Sequence, residues 1–595
     1  MNKIAKYFPW VLGLAALVLL CFYLDAAQRY LFYYREQQQL FVYDTSFMLD
    51  RYLTFGGFAL FMAQFLVQFF TVPFMGALIT SILAVLTAVL LWLSLRKING
   101  SAYLFPLCFL PILFQIGALY DYYYYYQGLV AFSLMASSLY LYTVLAARLN
   151  WKSRIVCASV LSALVYLLLG PVGTVFAVAV CVYDLFLRYE KAYLQILSVI
   201  VVLLLGFFLI VSGDIQSMRL AFLNDGYYEP IITPILFFQY SWIALIGLML
   251  LFGLMRFLPT AKPLWSLSIS LILSVVVGSL FSSAAKQNKQ NLYDIVELQH
   301  YVASEQWDAL LQSPSSWKNN YLNRNLFNLA LSHKGKLLSD LFDLDQYSPI
   351  SLIIQGDFTD KVPDLTVMLT HIYYQMGNVG ASMNKAFDSF VGNRYGNPTM
   401  LKMLVKANLI YGSYDLADKY LSLLEKTWAY GEWASQQRRF INNDEAVNAD
   451  PEYGPKRKGL PKGDYFVFQK GPYMDMLHLL DAGSTDLGTR DYAIAFVILA
   501  KDGKNIKRFV ESYYGTEVMK EVPVILQQAL IAVSEDDLEY CKEHGVTEET
   551  IKAYEEYKKT YLSARNSGMN PATALKKDFR KTYWYYYMFV GEQGR

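Results

Sequence analysis

Three stretches of the sequence combine acidic, basic and aromatic side chains that could act on a phosphate group. Asp44 and Asp50 lie between residues 25 and 74, Asp121 precedes a run of tyrosines that includes Tyr124, and Arg219 lies in a third polar stretch. A carboxylate near an apolar region can have a raised pKa and act as a base, whereas Arg and Tyr can hold a phosphate. Asp44 and Asp50 are therefore candidate catalytic residues, and Arg219, Tyr124 and Asp121 are candidate substrate-binding residues. The alternative, which we prefer, is that these residues are solvated loop charges and interfacial aromatics.

Motifs of familiar soluble enzymes are missing from the sequence. It has no GxxxxGK[ST] loop, no GxSxG elbow and no HExxH. The 5 cysteines and 5 histidines are not spaced as metal ligands. The net charge of +2 gives no reason to expect nucleic-acid binding. The sequence predicts neither a metal nor a cofactor.

Hydrophobic residues are concentrated in the first half of the chain. They make up 55% of the 595 residues, but apolar runs end near residue 283, and the remainder is ordinary mixed sequence. This change predicts a transmembrane domain over 1–285 and a soluble domain over 286–595.

A helix that spans a bilayer needs about 20 apolar residues. By this criterion the sequence predicts nine spans: Phe8–Leu24, Met75–Leu95, Ala102–Leu119, Gly128–Ala147, Ile155–Gly170, Thr174–Leu187, Tyr193–Ser212, Pro234–Gly253 and Leu264–Ser283. With the N-terminus in the cytoplasm, the inner side holds 11 basic residues and the outer loops hold 4. The positive-inside rule thus favours this orientation, and an odd number of spans places the soluble half outside.

The first outer loop, residues 25–74, contains a further apolar segment, Leu53–Phe70. A tenth span here would invert the later loops against the positive-inside rule. Gln64 and Gln68 share one helix face. We therefore predict an amphipathic helix that lies in the outer interface or re-enters it.

The soluble half has the apolar periodicity of helices. Two passages, from Leu369 and from Lys406, each read as a helix, a turn with Gly377 or Gly412, and a second helix. The turn glycines are 35 residues apart, which resembles the tetratricopeptide repeat with its period of about 34 residues. A weaker third copy surrounds Trp307. The resemblance implies a binding surface, and the alternative is a generic helical bundle.

Two other stretches of the soluble half lie outside this repeat pattern. We predict a long loop over 442–471, whose basic part, from Lys456 to Lys462, is a solvated linker or a contact for anionic lipid. The closing run Thr582–Phe589 is rich in Tyr and Trp and is predicted to seal a helical core or to rest on the membrane interface.

The order of segments in the first half resembles the type C fold of glycosyltransferases that use lipid-linked sugars. The resembling features are one span, a long outer loop with Asp44, Asp50 and the Gly57–Phe70 helix, and then further spans. The resemblance implies that Asp44 or Asp50 activates an acceptor hydroxyl. It also implies that Arg219 steadies the leaving phosphate of a polyprenyl-phosphate donor.

The whole chain also resembles an uncharacterised family of bacterial multi-pass membrane proteins with a helical-repeat tail. The passages concerned begin at Glu36, Gly56, Gln64 and Tyr583. This resemblance implies a bacterial inner membrane and a periplasmic second half, and it implies no specific activity.

Taken together, the sequence predicts an all-α protein in the lipid bilayer with a tetratricopeptide-like periplasmic domain. The leading hypothesis is a membrane-anchored interaction or scaffold protein of envelope biogenesis with a periplasmic protein partner. The alternatives are a type C glycosyltransferase and, third, a transporter. Asp184 is the one charged residue within the predicted spans, which makes a proton or ion path a weaker hypothesis. We expect it to pair with Arg188 along its own helix.

Overall fold

A computed structural model describes residues 3–229, 239–255, 290–354, 363–392, 396–461, 471–534 and 537–590, with isolated positions between 268 and 279. Within these ranges the regular elements are helices, and two isolated bridges are the only β-type pairings. The chain divides into two units. The first comprises Met1–Tyr293 with Lys426–Ala429, and the second comprises Asp294–Glu425 with Tyr430–Arg595.

The first unit is built from apolar helices separated by short turns. In chain order the α-helices are α1 (Lys3–Gln37), α2 (Thr45–Tyr52), α3 (Gly57–Val67), α4 (Met75–Leu95), α5 (Leu110–Ala118), α6 (Gln127–Ala146), α7 (Trp151–Leu169), α8 (Val172–Leu187), α9 (Ile196–Val211), α10 (Met218–Phe222) and α11 (Tyr240–Met255). Short 3-10 segments precede α5 and α9, at Ala102–Phe109 and Ala192–Gln195.

Five helices among the described residues are long and apolar enough to cross a bilayer. They are Tyr7–Gln37, Met75–Leu95, Gln127–Ala146, Trp151–Leu169 and Ala192–Val211. Large apolar side chains on them are exposed, such as Leu204 and Phe208 at 64% and 65%. A soluble protein rarely exposes such a surface, so the first unit is that of a membrane protein.

Three more predicted spans correspond to shorter apolar helical segments. These are Ala102–Ala118, Val172–Leu187 and Tyr240–Met255. A helix of 16 residues such as α8 is about 24 Å long, whereas the apolar core of a bilayer is about 30 Å thick. Most of the ninth predicted span, 264–283, lies outside the described residues, as does the start of the eighth.

Helix α1 does not end where the sequence analysis ends the first span. It continues without a break through residues 25–37, which we had predicted as the start of the first outer loop, and reaches a length of 35 residues. No glycine or proline interrupts this stretch, and Arg29 pairs with Asp25 one helical turn away. The irregular part of this connection therefore starts only after Gln37.

The predicted interfacial helix forms as α3 followed by a 3-10 turn, Gln68–Thr71. Gln64 and Gln68 lie on its buried face, and its N-terminal end is attached to α6 by a hydrogen bond from Gln127 Nε2 to the Gly56 carbonyl at 3.1 Å. The glutamine face is thus turned into the protein rather than towards water.

The second unit consists of shorter helices of mixed composition. They are α12 (Gln290–Ala303), which begins at the end of the first unit, α13 (Trp307–Leu311), α14 (Tyr321–His333), α15 (Pro363–Gln375), α16 (Val379–Gly392), α17 (Pro398–Tyr411), α18 (Tyr414–Leu424), α19 (Gly431–Gln437), α20 (Asp444–Ala449), α21 (Tyr453–Lys458), α22 (Pro472–Asp481), α23 (Leu487–Leu499), α24 (Gly503–Tyr513), α25 (Val524–Val533), α26 (Leu538–Glu543), α27 (Glu548–Asn566), α28 (Pro571–Phe579) and α29 (Tyr583–Phe589).

The two repeat-like passages form two helical hairpins, α15–α16 and α17–α18. Gly377 and Gly412 stand between the helices of each hairpin with φ of 76° and 73°. This left-handed conformation is accessible to glycine without steric cost. Both hairpins therefore turn at the glycines that the sequence indicates.

The closing aromatic run seals the core of the second unit. Tyr583, Trp584 and Tyr586 on α29 are buried, and Trp584 Nε1 donates to the Gln528 carbonyl at 2.9 Å. The first of the two alternatives for this run, a core seal, is therefore confirmed.

Candidate functional site

A cavity of about 270 Å³ lies within the second unit. Its walls come from helices α12 to α15, α17 and α21, and from the residue that caps α23. This volume is close to the lower limit of small-molecule sites, about 300 Å³. Helices that are far apart in sequence thus enclose a space that suits one small chemical group.

Helix α17 supplies two lysines to the cavity wall. It begins at Pro398, and its N-cap Asn397 accepts a hydrogen bond from the Met400 amide at 3.1 Å. Lys402 and Lys406 are four residues apart on this helix and therefore share one face. Both line the cavity.

Two carboxylates in the wall are engaged by lysines. Glu452 accepts from Lys406 Nζ at 2.8 Å and from the Tyr374 hydroxyl at 2.7 Å. Asp486 accepts from Lys456 Nζ at 2.9 Å and also caps α23 by accepting from the Thr489 amide at 3.0 Å. These bonds fix the positions of the charged groups, because each partner is held by a helix.

The basic segment around Lys456 differs from its prediction. Part of the predicted loop over 442–471 is helical, as α20 and α21, while 462–470 lies outside the described residues. The Lys456 side chain is only 4% exposed and pairs with Asp486, so it is neither a solvated linker residue nor a lipid contact. The carboxylate of Asp486 lies 30 residues further along the chain, so the composition around Lys456 does not reveal that the two residues pair.

Aromatic rings and histidines form the rest of the wall. The rings of Trp307 and His333 are stacked, with centroids 4.0 Å apart and planes inclined by 9°. The ammonium of Lys456 lies 5.0 Å from the centroid of the Tyr374 ring, which is a cation–π distance. The cavity therefore offers flat apolar surface beside its charges.

His371 on α15 contributes a ring nitrogen that has no hydrogen-bond partner. Its Nε2 is buried and unpaired. Burial, followed by the charges of Lys406, His333 and Lys402, lowers the pKa of His371 to about 3. The imidazole is therefore neutral at pH 7, and Nε2 can pair with a group that enters the cavity.

The chemistry of the cavity favours binding over acid–base catalysis. A general base is most effective when its pKa lies near the working pH, and the pKa of His371 lies well below neutrality. The described residues contain no cluster of three or more His, Cys, Asp or Glu side chains that could hold a metal ion. Charged and aromatic groups around a small cavity, together with the unpaired Nε2 of His371, instead match a ligand site.

The sequence-predicted candidates lie in the first unit. Asp44 is the N-cap of α2, where its Oδ1 accepts from the Ser46 amide at 2.9 Å. Asp50 lies within the same helix. The capping bond gives Asp44 a structural role at the start of α2.

Arg219 pairs with Asp225, with 2.7 Å between Nε and Oδ2. The other carboxylate oxygen of Asp225 accepts from Gln239 Nε2 at 2.7 Å. Arg219 is therefore already engaged with a carboxylate.

Tyr124 has no exposed surface. Its hydroxyl donates to Gln115 Oε1 at 2.6 Å and also lies 3.3 Å from Asn224 Oδ1, next to the partner of Arg219. The structure thus brings Tyr124 and Arg219 into one network. These contacts are those of a core residue, and a substrate-binding role for Tyr124 stays a prediction.

Asp121 lies beside a buried arginine. Arg35 at the end of α1 donates to the carbonyls of Leu119, Asp121 and Tyr122. The Asp121 side chain accepts from the Tyr123 amide at 3.1 Å. Arg35 therefore attaches the tyrosine-rich turn to α1, and the side chain of Asp121 is part of this turn rather than a solvated loop charge.

Asp184 is bound by other helical segments. Its Oδ2 accepts from Tyr142 at 2.9 Å and from Gln195 at 2.7 Å, and its carbonyl oxygen accepts from the backbone amide of Arg188. The expected side-chain pair within its own helix is not what holds this carboxylate. Arg188 adopts φ of 53°, which ends the helix at this point.

The residues of the cavity were missed because no motif joins them. Trp307, His371, Lys402 and Lys456 are separated by about 30 to 60 residues each. The one available signal was the placement of Trp307 and His371 within the repeat-like passages.

Comparison with known proteins identifies the family of this chain. The chain belongs to a family of unknown function, DUF6057, whose profile matches residues 3–590. No curated protein and no solved structure matches the chain.

Proposed function

We propose that this protein is a membrane-anchored interaction protein whose second unit carries the binding site. The first unit would hold it in the bacterial inner membrane through nine spans, with the N-terminus in the cytoplasm. The second unit, a tetratricopeptide-like array, would bind a partner of envelope biogenesis in the periplasm. Two observations support this arrangement. The long helices expose apolar side chains, as lipid-facing helices do, and the basic residues are concentrated on the predicted inner side.

The observation that carries the binding role is the cavity. Its charged walls are fixed by the Lys406–Glu452 and Lys456–Asp486 pairs, and His371 Nε2 faces no partner. Buried polar groups in folded proteins are generally hydrogen-bonded. An unpaired nitrogen in a cavity wall is therefore available to a ligand that enters the site.

Photocrosslinking in living cells tests this proposal. We would place p-benzoylphenylalanine at Glu305, which lines the cavity with a side chain 68% exposed, and at the exposed Leu562 as the control. We expect a discrete protein adduct from position 305 that is absent from position 562. The adduct should disappear when Ala303→Phe fills the cavity.

Two results would overturn the binding proposal. One is the absence of any adduct from position 305. The other is an adduct that survives the cavity-filling substitution, because the contact would then lie outside the cavity.

The glycosyltransferase alternative has less support from the same structure. Asp44 caps a helix and Arg219 already pairs with Asp225, whereas the hypothesis needs a base aimed at an acceptor and an arginine at a leaving phosphate. We therefore place the interaction protein first.

A further inference from the structure

We propose that the first unit binds one anionic phospholipid at the start of α7, with the phosphate of its headgroup between Lys152 and Lys191. This inference goes beyond the proposed function and does not depend on it, because it concerns the first unit alone. The cavity of the second unit plays no part in it.

Two lysines lie against one tryptophan ring where α7 begins. The ammonium of Lys191 is 3.8 Å from the centroid of the Trp151 ring, and the ammonium of Lys152 is 5.4 Å from it. Both are cation–π distances. Because the two distances share one ring, the ammonium groups are no more than about 9 Å apart. A single anion between them is therefore attracted by both.

The chain supplies little negative charge around this pair. Residues 148–195 contain five basic side chains and two carboxylates, Asp184 and Glu190. The carboxylate of Asp184 is buried and already accepts two hydrogen bonds, and Glu190 is exposed. Within the described part of the chain, neither Lys152 nor Lys191 forms an ion pair with a carboxylate. The charge of these two lysines is thus open to compensation by a ligand.

The turn that carries Lys191 is held against α7. The guanidinium of Arg154, a buried residue of α7, lies 3.8 Å from the centroid of the Tyr189 ring and donates to the Leu149 carbonyl at 2.9 Å. Lys191 has a φ of 56°, a conformation that is unfavourable for an L-residue and that surrounding contacts must maintain. Packing therefore positions the two lysines before a ligand arrives, which lowers the entropic cost of binding.

The lysine pair lies at the ends of two membrane-spanning segments. Trp151 begins the segment Trp151–Leu169, and Lys191 directly precedes the segment Ala192–Val211. Tryptophan is enriched where spanning helices meet lipid headgroups, and lysines next to spans attract anionic lipids. The two ammonium groups are thus at the depth of the phosphates of a bilayer.

Apolar side chains continue from the lysine pair along both segments. Val156 and Val160 follow Lys152 at intervals of four residues and therefore share its helix face. They are 62% and 54% exposed, and Ile196 and Ile200 on the adjacent α9 are 53% and 42% exposed. Acyl chains can cover this apolar surface while the headgroup meets the lysines. The site therefore suits a lipid rather than a free phosphate ion.

Retention of radiolabelled phosphatidylglycerol by the immobilised full chain in mild detergent tests the inference. The competitors are unlabelled phosphatidylglycerol, phosphatidylcholine with the same acyl chains, and inorganic phosphate. We expect one labelled lipid to be retained per chain. Phosphatidylcholine should compete at least about fivefold less well than phosphatidylglycerol, and about 10 mM inorganic phosphate should not compete, because it lacks acyl chains.

The variants remove one positive charge at a time. Lys152→Gln and Lys191→Gln should each weaken retention at least about fivefold, and Lys191→Arg should keep most of it. The matched control is Arg96→Gln, which removes one exposed charge at the end of α4. There a single cation lies 5.3 Å from the Trp92 ring, so its loss should leave retention unchanged.

Four results would overturn the inference. Phosphatidylcholine could compete as well as phosphatidylglycerol, or neither lysine variant could weaken retention. Arg96→Gln could weaken it as much as the lysine variants, which would show an effect of general surface charge. Inorganic phosphate could displace the lipid, which would assign the lysines to a free anion. Each result leaves the proposed function standing, because photocrosslinking at position 305 tests the second unit separately.

Discussion

At the scale of single residues, the second unit contains a nearly buried ion pair, Lys456 with Asp486. Lys456 and Asp486 are 4% and 14% exposed, so removing one partner leaves the other charge in a poorly solvated place. Two residues later on the same helix, Lys458 is 56% exposed and lies 3.6 Å from Glu517. The two lysines therefore form a natural pair of test and control.

We predict that Lys456→Met destabilises the second unit by about 3 kcal/mol, since breaking a buried pair costs that much. Lys458→Met should cost less than about 1 kcal/mol, as is usual for exposed pairs. Denaturant unfolding of both variants measures the difference. Equal losses would show that Lys456 is solvated after all.

A second prediction at this scale concerns acid stability. The pKa of His371 is about 3 in the folded protein and about 6.5 in an unfolded chain. Between these values the unfolded state binds a proton that the folded state does not, so stability falls as the pH drops from about 6.5 towards 3. Above pH 6.5 this histidine has no effect on the pH dependence.

The measurement is the unfolding midpoint at pH 7.5 and at pH 5 for the wild type and His371→Leu. The wild type should lose more stability on acidification than the variant. Parallel losses would contradict the low pKa assigned to His371.

At the scale of elements, glycine turns define the hairpins of the second unit. Gly412 ends α17 with φ of 73°, and an L-residue in that conformation costs about 1 kcal/mol. Gly392 at the end of α16 has open space at the Cβ position and no positive φ. Both positions are glycines at helix ends, and only Gly412 has a positive φ.

We therefore predict that Gly412→Ala destabilises the second unit by about 1 kcal/mol and that Gly392→Ala is neutral or slightly stabilising. Denaturant unfolding again measures both. A neutral Gly412→Ala would mean that the hairpin turn relaxes without cost.

The helices and turns also show which features of the fold could be predicted from the sequence. The hairpins and the aromatic seal were predictable, because helix periodicity, turn glycines and a dense aromatic run are local signals. The length of α1 was not, because a charged residue such as Asp25 after an apolar run is typical of a loop, whereas here its pair with Arg29 supports the helix. The cavity was not predictable either, since its walls come from positions that only tertiary packing unites.

At the scale of the whole molecule, the proposal depends on topology. Five segments are long enough to span, in α1, α4, α6, α7 and Ala192–Val211. The shorter segments Ala102–Ala118, α8 and α11 and the predicted ninth span must also cross for the count to reach nine. Hydrophobic mismatch of a few ångströms is accommodated at modest cost. The positive-inside rule thus predicts the topology of the whole chain, with the second unit outside the cytoplasm.

Thiol labelling of single-cysteine variants in spheroplasts tests the predicted orientation. Ser563→Cys on α27 should react with a membrane-impermeant maleimide, and Ser153→Cys near the start of α7 should react only after permeabilisation. Both serines are exposed, and the five native cysteines would first be replaced by alanine. The reverse labelling would place the second unit in the cytoplasm.

Native mass spectrometry of the protein released gently from its own membranes distinguishes the interaction protein from the transferase. We expect a bound species that is lost in Lys402→Met and kept in Arg219→Ala, because the cavity of the second unit holds it. The interaction-protein proposal is wrong if the bound species has the mass of a polyprenyl phosphate or its sugar conjugate and is lost in Arg219→Ala but kept in Lys402→Met.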